Sequence, residues 1–139
     1  MSHDRLRAQL IRDEGRRLKP YTDTVGKLTI GVGRNLTDKG ISLDESNILL
    51  DHDIEDAERD LRARFPWVDA LDPVRLGVLI NMSFNLGIAR LAQFTQTLDA
   101  IRRGEYDSAS VLMLQSKWAK QVKDRAARLA EQMRTGEWA

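Results

Sequence analysis

The stretch from Asp72 to Gly87 restricts the fold more than any other part of the chain. Val74, Leu76, Val78, Leu79, Ile80, Met82, Phe84 and Leu86 leave almost no polar face between those two residues. Asp72-Pro73 is a helix opening: the aspartate can accept from a free backbone N–H, and proline at the first helical position lacks only an N–H that would have no partner there. Gly87 can end the same helix. A helix that is apolar nearly all round belongs in the middle of a domain, so 73–86 is expected to be central, with other helices around it.

Those other helices can be read from apolar spacing and from stop residues. Leu6, Leu10 and Ile11 share one side of a helical wheel, which predicts an amphipathic helix over 3–14 with Gly15 as its left-handed terminator. Ser42-Leu43-Asp44-Glu45 has the spacing of a capping box, in which the Ser hydroxyl and the Glu carboxylate each satisfy a free N–H. It opens a long helix over about 43–64, whose Leu50, Ile54, Ala57, Leu61 and Phe65 recur at helical intervals up to Phe65-Pro66. Gly104 and Gly136 are further stops, and Leu129 with Met133 marks the inner face of the last helix.

Residues 16–41 differ from all of this. Pro20, Gly26, Gly31, Gly33 and Gly40 break any helix, and Leu28-Thr29-Ile30-Gly31-Val32 reads as a strand, so a small antiparallel sheet with tight turns is expected. The resulting fold class is α+β and mostly α. A single domain over 1–139 is expected, with a sheet lobe at about 16–41 and a long linking helix at about 43–64. The helical lobe is placed at about 66–139, together with helix 3–14. A chain of 139 residues can bury a core without covalent staples, and it has no cysteine for a disulfide, a thiol nucleophile or a thiolate metal site. His3 and His52 are too few and too isolated for a histidine metal centre or triad. No metal and no cofactor are expected.

Charge narrows the partners. The net charge is +1, which excludes a polyelectrolyte, but residues 1–72 hold 12 basic and 15 acidic side chains, and residues 73–139 hold 10 and 6. Lys117, Lys120, Lys123, Arg125 and Arg128 face only Asp124, which makes a solvated helix face or a surface for an anionic polymer. Nucleic acid is not the expected polymer, because no recognised nucleic-acid-binding motif lies near these cations. The charged N-terminus lacks a signal peptide's apolar stretch, and no run of about 18 apolar residues offers a membrane span. A cytoplasmic chain without stable membrane insertion is expected.

The chemistry-bearing residues gather between Glu14 and Gly33. Glu14 closes a helix, at the negative end of its dipole, where the protonated form of a carboxyl is favoured; partial burial would act the same way. Asp23 lies in a turn among hydroxyls, a setting that keeps a carboxylate wet and ionised. A chain reversal between the two can bring both to one groove, and two carboxyls in contrasting environments is an arrangement used to cleave glycosidic bonds. Many carboxyl pairs among 21 acidic residues would do no such thing.

The motif itself is more specific. Glu14-Gly15, Tyr21-Thr22-Asp23-Thr24 and Thr29-Ile30-Gly31-Val32-Gly33 resemble the catalytic signature of the bacteriophage lysozymes, family 24 of the glycoside hydrolases. The likeness continues through Asn81–Gly87, Phe94–Leu98, Ser116-Lys117-Trp118, Arg125–Arg128 and Arg134–Trp138. The resemblance implies a lysozyme-like fold and an endolysin, a muramidase cutting the β-1,4 bond between N-acetylmuramic acid and N-acetylglucosamine in bacterial peptidoglycan, with inversion. It implies Glu14 as proton donor, Asp23 as the group that activates water and Thr29 as the residue that holds that water. Arg125 would pair with Glu14, and Phe84, Asn85 and Thr97 would face substrate. A monomer is implied, acting on the periplasmic wall once a pore-forming holin opens the host membrane.

Two departures qualify the likeness. Arg34 stands where the best-known relatives have histidine, with Asp51 as its expected partner, and only eight residues separate Gly33 from Ser42, which trims the sheet lobe. Trp67, Trp118 and Trp138 are candidate sugar platforms, although burial is the commoner fate of tryptophan. Two alternatives keep the same fold: a lytic transglycosylase working with Glu14 alone, and a wall-binding module with a dead site.

Overall fold

The computed structural model describes residues 2–139. They form two compact units, residues 1–49 and 50–139 as bounded by their internal contacts. The first holds helix α1 (Asp4–Glu14), a sheet of β1 (Arg17–Thr22), β2 (Leu28–Gly31) and β3 (Arg34–Asn35), and the start of α2 (Leu43–Arg64). The strands are antiparallel in the order β1-β2-β3. Arg17 stands opposite Gly31 and Tyr21 opposite Thr29, with a bulge between them, while Thr29 and Ile30 face Asn35 and Arg34.

Gly15 does end α1, its N–H returning to the Ile11 carbonyl, but with φ 75 and ψ 166 it leaves extended rather than in the left-handed helical shape. That shape is open almost only to glycine, and it feeds the chain straight into β1. The capping box forms as expected: the Ser42 N–H donates to Glu45 Oε1 at 2.9 Å and the Glu45 N–H to Ser42 Oγ at 3.1 Å. The apolar face of α1 is not buried, with Leu6 49% and Leu10 44% exposed. Thr29 is the only buried residue among the described residues of this unit.

The second unit carries the core. It comprises the rest of α2, a 3-10 turn (Pro66–Ala70), α3 (Pro73–Leu86), α4 (Ile88–Leu91), α5 (Thr95–Arg102), α6 (Tyr106–Gln115), α7 (Lys117–Val122) and α8 (Asp124–Thr135). Asp72 caps α3 by accepting from the Arg75 N–H at 3.1 Å, and Val78, Leu79 and Met82 are fully buried, so α3 is central as its composition requires. Leu61, Leu98, Ile101, Met113, Trp118, Leu129 and Met133 close around it. Only the later part of the α2 seam is buried, at Ala57 and Leu61; Leu50 and Ile54 stay exposed.

Arg75 ties three helices of this unit together. Its Nε donates to the Met133 carbonyl at 2.7 Å and one Nη to the Arg134 carbonyl at 3.0 Å, filling acceptors that the end of α8 leaves open. The guanidinium also pairs with Asp72 and lies 3.6 Å from the centre of the Tyr106 ring. Gly136 makes room for it, since a Cβ there would stand 3.0 Å from a guanidinium nitrogen. Partial burial pushes the Asp72 carboxyl up, but the Arg75 N–H and guanidinium outweigh it and hold the group below its usual value. Among the described residues no helix is long and apolar enough to cross a membrane.

Candidate active site

The site begins with the β1–β2 hairpin. Glu14 precedes β1 at the hairpin's open end, beside the segment that follows β2; Asp23 starts the turn at its closed end; Thr29 lies on β2 between those ends. The backbone of one residue, Lys27, holds two of these residues. Its N–H donates to Asp23 Oδ1 at 2.8 Å, and its carbonyl accepts from the Asp23 N–H at 2.9 Å and from Thr29 Oγ1 at 3.0 Å. Asp23 Oδ1 also accepts from the Val25 N–H at 3.0 Å. The carboxylate is therefore fixed through one oxygen, and Oδ2 is left to work on a ligand or a water. The Thr29 hydroxyl spends its proton on Lys27, which leaves its oxygen as an acceptor, and its residue is only 4% exposed.

At the other end, Gly33 has φ +66 and carries the Glu14 side chain on its α-carbon. A Cβ at Gly33 would lie 3.1 Å from Glu14 Oε2 and 3.3 Å from its carboxyl carbon. Gly33 thus does two things at once, turning the chain from β2 into β3 and leaving space for the carboxyl. Glu14 is exposed, because the end of α1 stands clear of any apolar cover in its unit.

Arg34 departs from its expected pairing with Asp51. Its two terminal nitrogens clasp the Glu45 carboxylate at 2.8 and 2.7 Å, and one of them also donates to the Gly40 carbonyl. The reason is local: the short loop ending at Ser42 presents the capping-box carboxylate to the guanidinium. Arg34 and the two Ser42 hydrogen bonds hold the Glu45 carboxyl down to about 2. Arg34, Glu45 and Gly33 line a cavity of about 820 Å³ with an apolar wall that includes Ile30, Val32, Ile41 and Ile48.

In the second unit Arg125 is held by Asn81, whose Oδ1 accepts from Nε at 3.0 Å and from Nη2 at 2.7 Å. Thr97 is buried and lines a cavity of about 540 Å³ with Phe94 and Trp118, whose charged lining residues are Arg90 and Lys117 without a carboxylate. Asn85 accepts from the Trp118 indole N–H at 2.9 Å. Phe84 is 47% exposed and lines a different cavity, beside Asp53, Asp56 and Asp60. The three expected substrate-facing residues therefore do not share one cavity. The Lys27 backbone and Glu45 were missed from the sequence; the capping box was the one available pointer to Glu45, and a backbone group has no letter that could announce it.

Comparisons with known proteins give the chain its relatives. The pre-baseplate central spike protein Gp5 of Enterobacteria phage T4 is 32% identical over 91% of this chain, which spans 27% of that protein's length. Two proteins of Dictyostelium discoideum, named Probable T4-type lysozyme 1 and Probable T4-type lysozyme 2, are 26% and 27% identical. Those alignments cover 89% and 94% of this chain, and 90% and 94% of theirs. The family model described as phage lysozyme matches residues 12–135, from just before Glu14 to the end of α8, and the chain belongs to that family.

Proposed function

We propose that this chain hydrolyses the β-1,4 bond between N-acetylmuramic acid and N-acetylglucosamine in bacterial peptidoglycan. The observation that carries the reading is the Lys27 backbone, whose N–H holds the Asp23 carboxylate and whose carbonyl holds the Thr29 hydroxyl, leaving each, among the described residues, with a free acceptor. Two acceptors held in this way can take the two protons of one water. Asp23 Oδ2 draws off a proton as the water attacks, while Thr29 Oγ1 fixes its orientation. Glu14, seated on Gly33 with its carboxyl exposed to ligand, donates a proton to the departing glycosidic oxygen.

The two carboxyls stand at opposite ends of the β1–β2 hairpin rather than side by side, a placement that favours entry of a water behind the sugar and so inversion. Arg125, held by Asn81, is the supporting cation that the family resemblance implies. Thr97, Asn85 and Phe84 fit as parts of the surface along which glycan lies. The chain acts as an endolysin and as a monomer, made in the host cytoplasm and released to the periplasmic wall through a holin-type pore.

Product analysis on purified peptidoglycan tests the chemistry. Reducing muramic acid ends with an α-configured first product support hydrolysis with inversion. Anhydro-sugar ends would assign the chain to the transglycosylases, and the absence of any fragment would make it a wall-binding module. Glu14→Gln should abolish release without lowering the thermal unfolding temperature, since the amide keeps the shape and cannot donate the proton.

A further inference from the structure

The half-buried Trp67 lies in the second unit at the start of the 3-10 turn, behind Pro66. Phe65 props its ring, with centroids 6.0 Å apart and planes at 53°. The indole lines a cavity of about 250 Å³ with Phe65, Ala92, Thr95, Leu98, Asp99 and Arg102. No hydrogen bond from the Trp67 indole N–H, the Thr95 hydroxyl or the Arg102 guanidinium occurs among the described residues. Asp99 is engaged only by Arg103, at 2.8 Å through Oδ2. A tryptophan half withdrawn from water, with a free N–H, is a surface waiting for an amphipathic ligand.

The lining decides which ligand. One cation and one carboxylate cancel, in contrast to the neighbouring 540 Å³ cavity, whose Arg90 and Lys117 have no acidic counterpart. An anion therefore has no net attraction to the Trp67 cavity, and neither has a cation. What remains is a ring face, two aliphatic side chains and a rim of donors and acceptors: the set that stacks a pyranose and satisfies its hydroxyls and acetamido group. The cavity is smaller than the ~300–1,000 Å³ typical of sites that enclose a drug-sized molecule, so it takes a single ring. Thr95 lines both cavities, so the two adjoin at that residue.

We propose that the Trp67 cavity is an outlying subsite that holds one uncharged N-acetylhexosamine ring stacked on the indole. The choice of that sugar rests on the reading of the chain as a wall-glycan hydrolase; the stacking site rests on the lining alone. The test is a titration of the full-length, isotope-labelled chain with the tetramer of N-acetylglucosamine, followed by ¹H–¹⁵N spectroscopy. The Trp67 indole N–H and the Thr95, Asp99 and Arg102 amides should shift together and saturate. Trp67→Leu should remove that response. The double variant Asp99→Asn with Arg102→Ala, which alters only exposed side chains, should weaken it at least threefold without changing thermal unfolding.

An indole signal that stays put at saturating tetramer would overturn the subsite, as would unchanged affinity in the double variant. The two readings fail separately. A chain that shifts at Trp67 but releases no wall fragments keeps the subsite and loses the hydrolase. A chain that cuts peptidoglycan with an unmoved indole loses the subsite alone.

Discussion

Replacing Gly33 by alanine separates the two jobs that this glycine does. The first is conformational: at φ +66 a side chain costs about 1–2 kcal/mol, whatever surrounds it. The second is steric. The new methyl would stand 3.1 Å from Glu14 Oε2, tighter than ordinary contact, and the exposed Glu14 side chain can yield by rotating away. Stability should therefore fall by the conformational term only, while the carboxyl moves by some tenths of an ångström from its resting place. Displacements up to about 1 Å in a reacting group can cost roughly 100-fold in rate, so about a 10-fold loss of turnover is expected. Gly40→Ala is the control: its φ is +65, but a Cβ there meets only the Leu36 carbonyl at 4.0 Å. Both variants should lose about the same stability in urea titrations, and only Gly33→Ala should lose rate in release of soluble fragments from peptidoglycan. Equal rates in the two variants would refute the placement of Glu14 by Gly33.

Three further outcomes are expected. The Glu45 carboxyl is held down to about 2, so its contribution to stability is complete above the ordinary carboxylate value near 4.5 and disappears as pH falls through about 2; melting curves of wild type and Glu45→Gln should converge across that window. Arg75→Ala should cost about 3 kcal/mol in denaturant titration, because it strands two carbonyls of α8 and the Asp72 carboxylate, while Arg75→Lys, able to fill one partner at a time, should recover less than half. Lys123 is the one non-glycine residue with positive φ among the described residues, at φ 48 and ψ −111, so Lys123→Gly should raise stability by up to about 1 kcal/mol over Lys123→Ala, read in the same titration.

Features governed by neighbours in the chain were legible in the sequence. Asp72-Pro73, Ser42 with Glu45, and the stops at Gly87, Gly104 and Gly136 each act within a few residues, and each is found where expected. Glu14, Asp23 and Thr29 are legible because their spacing is a motif. Features set by distant contacts were not legible. Arg34 chose Glu45 over Asp51 because a loop of eight residues decides which carboxylate comes within reach. The break between α7 and α8 at Lys123 has neither glycine nor proline to mark it, and the break before α7 rests on Ser116, whose hydroxyl accepts from the Ala119 N–H. Asn85 and Trp118 meet across 33 residues, a pairing that no local pattern encodes. Phe84, on a helix apolar nearly all round, is nonetheless 47% exposed, since such a helix is covered only where neighbours happen to lie.

Thr29 is the only buried residue in residues 2–49, whereas the second unit encloses seventeen buried apolar side chains. Local opening is cheapest where least apolar surface must be wetted, so the hairpin bearing Asp23 and Thr29 belongs to the part of the chain that fluctuates open first. Its backbone amides should exchange with deuterium through excursions that leave α3 and α8 protected. On heating, turnover should then decline before the helical signal does. Resistance to heat in this protein is accordingly a property of two different segments, and substitutions that tighten the α3 surroundings will raise the melting temperature without extending the temperature range over which it works.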